Sequence, residues 1–229
     1  MTDLALHLDG WDTPTPGLTR SGSLYAFSPA QRVEAAHQLA AAGWWIHADV
    51  ILRRRGAGVD PDAGVARDTL AAVRRELPAA LLEVHVIDLA GNALDELLPE
   101  VLSARPDRVI LPAPRCGTDD PAVRAVRDHG AQLWAESGTL PAAATPDGVL
   151  VMLIDAGTTQ SVDLSRLAAV ARAPSNVPVG VDGGVGREHT EEIVRAGARH
   201  LVSGRALLSR ATDNSPADEA SARTQESDA

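Results

Sequence analysis

The sequence predicts a single (β/α)8 TIM barrel, in which a helix follows each of eight parallel strands. Eight short apolar runs alternate with helix-like segments at intervals of about 20 to 25 residues along the 229-residue chain. No charge-rich linker divides this series. An open doubly wound sheet is the alternative, but the GxGxxG turn expected after its first strand is missing.

The elements are predicted from hydrophobic periodicity and from the glycines and prolines that interrupt it. Strands are predicted over residues 23–27, 44–50, 81–87, 108–111, 132–135, 148–154, 177–181 and 200–203. Helices are predicted near residues 29–43, 65–77, 94–102, 123–126, 140–144, 164–171, 191–197 and 206–208. The first helix begins at Ser28-Pro29, a pair typical of a helix N-terminus.

Three regions are predicted. Residues 1–20 form an irregular lead-in, residues 21–210 the barrel, and residues 211–229 a disordered acidic tail. The tail is assigned because it is polar and almost free of large apolar side chains.

Composition limits the possible partners and the cellular location. A formal net charge of -10 argues against nucleic acid and anionic membranes as general partners. The single cysteine, Cys116, forms no internal disulfide, so a reducing cytoplasm is expected. Neither a signal peptide nor the roughly 20 apolar residues of a membrane span is visible.

One stretch, Val-Gly-Val-Asp-Gly-Gly-Val at residues 179–185, combines a buried strand with a charge at its end. Asp182 would lie at the mouth of the barrel, and Gly183-Gly184 would leave the backbone open to a phosphate. The alternative is an ordinary turn in which the aspartate caps the following helix.

Other strand ends supply further metal-binding groups. His47 and Asp49 are two residues apart, so they share one face of the second strand, and His85 follows on the third. Each histidine alone is more typical of a satisfied core residue. Together with Asp182 they form a plausible ligand set for Zn²⁺, Fe²⁺ or Mn²⁺.

Four segments carry a family resemblance. The sequence resembles ribulose-phosphate 3-epimerases in WIHADV at 45–50, LEVHV at 82–86, GVLVMLIDAG at 148–157, and VPVGVDGGV with RAGARHLVSGRAL at 177–207. The resemblance runs from about Ser21 to Leu208. It implies a (β/α)8 barrel that holds one divalent metal (Zn, Fe, Mn or Co), whose ligands fall on His47, Asp49, His85 and Asp182.

The resemblance also implies the reaction, epimerisation at C3 of a ketose phosphate such as ribulose 5-phosphate or xylulose 5-phosphate. This reaction removes a proton from one face of a carbon and returns one to the other. It therefore needs two acid/base groups flanking a planar enediolate, and a cation near its oxygens. Asp49 and Asp182 fit the first requirement. A homo-oligomer is expected, as in similar enzymes.

Substrate contacts are carried over from the same resemblance. Ser23 matches a serine that contacts substrate, and Met152 matches a methionine that packs beneath the site. Phosphate would bind backbone N–H groups at Gly157-Thr158-Thr159-Gln160, Gly183-Gly184 and Gly204-Arg205. Arg205 replaces a serine usual in the family, and its guanidinium could clamp a phosphate or lie in solvent.

Two departures leave the substrate open. The sequence ILRRRGAGVDPD at 51–62 brings Arg53, Arg54 and Arg55 beside the mouth, either as an exposed basic loop or as part of the pocket. Pro112 replaces a histidine of the family. The alternatives are another sugar phosphate, a lyase or decarboxylase, and a non-catalytic sugar-phosphate-binding protein. Metal-dependent lyases of this type use a DxD-like acid pair on the second or third strand, which is absent.

The remaining polar and aromatic residues are predicted to have lesser roles. Glu136 and Ser137 end the fifth strand and could line the mouth. Trp44 and Trp45 are expected to pack, and Cys116 shows no sign of an activated thiolate. The other five histidines are interpreted as structural or exposed, namely His7, His37, His129, His189 and His200.

Overall fold

The computed structural model describes residues 4–11, 15–55, 58–60, 63–91, 93–136, 144–158, 160–173 and 177–208. Their strands are β1 (Thr19–Ser23), β2 (Trp45–Arg55), β3 (Gly58–Asp60), β4 (Leu82–Asp88), β5 (Arg108–Leu111), β6 (Gln132–Glu136), β7 (Gly148–Met152), β8 (Val179–Asp182) and β9 (His200–Ser203). All except β3 are parallel, and β1 pairs with both β2 and β9, which closes an eight-stranded barrel. The single-domain TIM barrel predicted from the sequence is confirmed.

Helices cover the outside of the barrel. They are α1 (Arg32–Ala41), α2 (Arg67–Glu76), α3 (Leu94–Ser103), α4 (Pro121–Asp128), α5 (Ala168–Arg172) and α6 (Thr190–Arg195). A 3-10 turn at Leu164–Leu167 leads into α5, and another at Arg205–Leu207 follows β9. The helix predicted over residues 140–144 falls almost entirely outside the described residues.

The first strand lies earlier in the chain than predicted. A strand was expected over residues 23–27, but β1 covers Thr19–Ser23 and the apolar Leu24–Ala26 segment is a 3-10 turn. The interior of the barrel is polar here, and the Ser23 hydroxyl donates to Asp49 Oδ2 at 2.8 Å. A search for apolar runs therefore misses β1, whose inward side chains are serines.

The second strand is longer than predicted and projects beyond the barrel. Its pairing with β4 ends at Leu52 opposite Asp88, but the strand continues through Arg53–Arg55. These residues pair antiparallel with Gly58–Asp60, so they form a hairpin rather than a basic loop. All three arginines are exposed.

The lead-in and the tail are described only in part. Residues 4–11 include His7, whose backbone N–H donates to the carbonyl of Leu207 at 2.9 Å. Residues 211–229, predicted as an acidic tail, lie outside the described residues. Among the residues that the structure describes, no helix has the length and apolar character needed to cross a membrane.

Candidate metal centre and substrate cavity

Four predicted ligands from three strands come together in the structure. His47, Asp49 and His85 lie within β2 and β4 rather than at the predicted strand ends, because both strands continue further than expected. His47 and Asp49 share one face of β2, and Asp49 is the register partner of His85 in β4. Asp182 ends β8, which β9 and β1 separate from β2 around the barrel. One ligand atom from each residue lies within 4.8 Å of the others, so the group could hold a metal ion.

Distances and burial fit a divalent cation. His47 Nε2 lies 3.2 Å from Asp49 Oδ1 and 3.6 Å from Asp182 Oδ2, while His85 Nδ1 lies 3.5 Å from Asp49 Oδ1. Within the described part of the chain, His85 Nδ1 is buried and makes no hydrogen bond. A buried nitrogen without a partner, facing carboxylate oxygens, is the arrangement expected of a metal ligand. Two imidazoles and two carboxylates suit zinc, iron or manganese.

The two histidines hold protons strongly in the metal-free protein. Burial lowers the pKa of His47, but the carboxylates of Asp49, Glu83 and Asp182 outweigh this effect and raise the pKa to well above its ordinary value. Burial also lowers the pKa of His85, and its contacts with Asp49 and Glu136 raise it to about 9. A metal ion must therefore displace protons to bind.

The two aspartates have opposite pKa shifts. Burial raises the pKa of Asp182 to about 6, with a further increase from Asp49 and a partial offset from His47. Burial also raises the pKa of Asp49, but His47 and His85 outweigh it and hold that pKa well below its usual range. Near neutral pH, Asp49 is firmly ionised and Asp182 can accept a proton.

A buried charged network beneath the site was not predicted. Glu83 Oε1 lies 2.9 Å from His47 Nδ1 and 3.0 Å from His200 Nε2, and its Oε2 accepts from Arg108 at 2.7 Å. The Arg108 guanidinium lies between the rings of Trp45 and Trp134, 4.2 and 3.9 Å from their centroids. One sequence signal was available: Glu83 precedes His85 by two residues in an apolar strand, so both face inward.

Glu136 is placed where the sequence suggested, at the mouth. Its Oε2 lies 3.2 Å from Nε2 of His85, and its side chain is 23% exposed. The neighbouring Ser137 lies outside the described residues.

A cavity of about 640 Å³ adjoins the candidate ligand group through Ser23. Five predicted substrate contacts line it, namely Ser23, Thr158, Gly184, Gly204 and Arg205. Ser23 connects the cavity to the ligand group, because its hydroxyl donates to Asp49. Arg205 donates to the carbonyl of Gln160 at 3.2 Å.

The other predicted substrate contacts lie elsewhere. The backbone N–H of Gly183 donates to Asp182 Oδ1 at 2.6 Å, and the missing side chain of Gly157 would point toward Ile51 and Leu89. Met152 packs in the barrel interior and borders a second cavity of about 350 Å³. Thr159 lies outside the described residues.

The sequence matches one family model over residues 21–208, that of the ribulose-phosphate 3 epimerase family. The chain belongs to this family. The predicted resemblance is therefore confirmed over most of the chain, and family membership supports an enzyme. Comparison with curated proteins gives no significant match.

Solved structures share the fold at low sequence identity. The N-acetylmannosamine-6-phosphate 2-epimerase from Clostridium perfringens is 15% identical, with a TM-score of 0.60 over 82% of this chain and 87% of that one. Phosphoribosyl anthranilate isomerase from Thermus thermophilus is 13% identical, with a TM-score of 0.57 over 82% and 88%. 3-Hexulose-6-phosphate synthase is 16% identical, with a TM-score of 0.55 over 83% and 96%. At these identities the likeness shows the TIM-barrel fold alone.

Proposed function

We propose that this protein is a metal-dependent epimerase that inverts C3 of a ketose phosphate and interconverts ribulose 5-phosphate and xylulose 5-phosphate. One observation carries the proposal. His47, Asp49, His85 and Asp182 meet at the barrel mouth of a chain that belongs to an epimerase family. A cytoplasmic location and a homo-oligomeric assembly remain predictions.

His47, Asp49, His85 and Asp182 would hold one divalent ion, Zn, Fe, Mn or Co. When bound, the ion supplies positive charge that stabilises negative oxygen atoms of the substrate. The protein contributes a site in which three of the four ligands, His47, Asp49 and His85, are buried and largely excluded from bulk water.

Proton transfer is assigned to the two aspartates. In one direction, ionised Asp49 removes the C3 proton and protonated Asp182 returns a proton to the opposite face of the enediolate. The reverse reaction exchanges these roles. In the metal-free site the pKa of Asp49 is lowered and that of Asp182 is raised, which agrees with Asp49 as the base and Asp182 as the acid. The two strands that separate β8 from β2 allow the carboxylates to approach a substrate from different directions.

Substrate would occupy the 640 Å³ cavity, with Ser23 near the reacting end and the phosphate near Gly184 and Gly204. Gly184 has φ +71°, a conformation that side chains rarely adopt, and a Cβ at Gly204 would lie 3.2 Å from Ala26 Cβ. Both positions therefore keep the backbone bare toward the cavity. Arg205 would add a charged contact to phosphate. Thr158 lines the same cavity. Met152, Gly157 and Gly183 lie outside it and are proposed as contacts from the family pattern alone.

The arginine hairpin favours a second candidate, epimerisation of a different sugar phosphate. Strand alternation places Arg53 on the same face of β2 as His47 and Asp49, beyond the barrel rim. A longer or more negatively charged substrate than a pentulose 5-phosphate could contact this arginine. The lyase and non-catalytic alternatives predict no epimerisation at all.

The test is an epimerisation assay on protein stripped with a chelator and then reloaded separately with Zn, Fe, Mn or Co. NMR would follow conversion of ribulose 5-phosphate, and a panel of other ketose phosphates would be assayed in parallel. We expect no turnover without metal and turnover after reloading. Turnover of another ketose phosphate alone would favour the second candidate. No epimerisation of any substrate with any of these metals would contradict both.

A further inference from the structure

Each imidazole of the ligand group contacts a second carboxylate that lies outside that group. His47 contacts Glu83 through Nδ1, and His85 contacts Glu136 through Nε2. The two histidines therefore use different ring nitrogens for these contacts. A neutral imidazole carries one N–H, so the nitrogen that donates to a carboxylate decides which one keeps a lone pair for a metal.

Further buried contacts fix the position of the Glu83 carboxylate. Glu83 is fully buried, and its second oxygen accepts from Arg108 at 2.7 Å. Trp45 and Trp134 enclose the guanidinium on both sides. With Arg108 on its other oxygen, Glu83 Oε1 is held 2.9 Å from His47 Nδ1, where it accepts the Nδ1–H.

Register explains why the two rings are used differently. Asp49 is the cross-strand partner of His85, so these two residues lie at one level of the barrel. His47 lies two residues lower on β2, roughly 6.5 Å away along the strand. Its outer nitrogen, Nε2, is the one that reaches up to Asp49, at 3.2 Å. His85 reaches Asp49 with its inner nitrogen, Nδ1, at 3.5 Å.

We propose that Glu83 and Glu136 are positioning residues that fix opposite tautomers, so that His47 offers Nε2 and His85 offers Nδ1 to the metal ion. The inference rests on the proposed metal site but not on the identity of the substrate. A carboxylate behind a ligating imidazole also increases the basicity of the ligand, and its loss typically weakens metal affinity by about 10- to 100-fold.

Glu136 allows the test, because it lies at the rim and is not part of the buried Glu83–Arg108 ion pair. Glu136→Leu removes the acceptor, whereas Glu136→Gln keeps an amide oxygen that can accept the same N–H. Asp155→Leu is the matched control. Asp155 borders the same 350 Å³ cavity as Glu136, and its carboxylate contacts Arg166 and Gln160. Glu83 is less suitable for substitution, because its loss would leave the Arg108 charge unpaired in the core.

The first readout is Zn²⁺ affinity, measured by competition with a chromophoric chelator. We expect Glu136→Leu to bind zinc about 10- to 100-fold more weakly than the wild type, with Glu136→Gln within about tenfold. Asp155→Leu should bind like the wild type. Unchanged zinc affinity in Glu136→Leu, or an equal loss in Asp155→Leu, would overturn the role of Glu136.

The second readout is the tautomer itself, from long-range proton–nitrogen NMR of zinc-loaded protein with ¹⁵N-labelled histidine. We expect one imidazole bound to zinc through Nε2 and another through Nδ1. The Nδ1-bound signal should be altered in Glu136→Leu and preserved in Glu136→Gln. Two imidazoles bound through the same nitrogen, or no zinc binding at all, would overturn the inference. Correct tautomers in a protein without epimerase activity would instead contradict the proposed reaction.

Discussion

Asp182→Asn separates the proposed chemistry from the fold more sharply than other single substitutions. The side chain of Asn has nearly the same shape, and its oxygen can still accept the Gly183 N–H that Asp182 Oδ1 now accepts at 2.6 Å. The Asn amide cannot act as a general base that removes the C3 proton or as a general acid that returns one. Loss of one general acid/base group should lower kcat by about 10²- to 10⁴-fold, or about 3 to 5 kcal/mol of barrier.

The same variant gives an independent prediction for stability. The pKa of Asp182 is raised to about 6 in the folded protein, so its ionised form destabilises the metal-free fold above that pH. At pH 8, metal-free Asp182→Asn should therefore have a Tm equal to or higher than that of the metal-free wild type.

The assay is kcat for ribulose 5-phosphate at saturating zinc, because the variant also loses a metal ligand. Asp155→Asn is the control for loss of a carboxylate near the mouth, and it should retain wild-type kcat. A rate for Asp182→Asn within about threefold of the wild type would remove Asp182 from proton transfer.

Two further predictions concern the hairpin and the histidines. Arg53→Ala should raise KM for the natural substrate by about tenfold, because a charge-assisted contact is lost. Its Tm should be unchanged, because the side chain is exposed. Arg54→Ala, on the opposite face of β2, is the control and should leave KM unchanged. A fall in Tm with normal kinetics would give Arg53 a structural role. Apparent zinc affinity should rise at least about tenfold per pH unit from pH 7 to 8.5, because His85, with its pKa near 9, must lose a proton before it binds. Titration against a chelator across this range checks the prediction, and a flat profile would show that no proton on His85 competes with the metal.

The sequence predicted the fold and the ligand group from local patterns. A period of two places His47 and Asp49 on one face of their strand, and parallel strands of a barrel end at one rim. These rules need no knowledge of which strands are neighbours. They explain why His85 and Asp182, each predicted at the end of a separate apolar run, lie within reach of Asp49.

The rest depends on pairings that the sequence does not show. Glu83 contacts Arg108 and His200, which are 25 and 117 residues away along the chain. A buried charge is stable only with such partners, so Glu83 could not be interpreted before the barrel brought them together. The β2 hairpin depends likewise on pairing of Arg53 with Asp60. The first strand was misplaced because its inward serines gave no apolar signal.

The most direct test of the metal centre is a crystal structure of zinc-loaded protein with anomalous diffraction data. We expect one strong anomalous peak at the barrel mouth, about 2.0 to 2.2 Å from nitrogens of His47 and His85 and from carboxylate oxygens of Asp49 and Asp182. No peak at these four side chains, or a peak held by other residues, would contradict the site and the chemistry proposed for it.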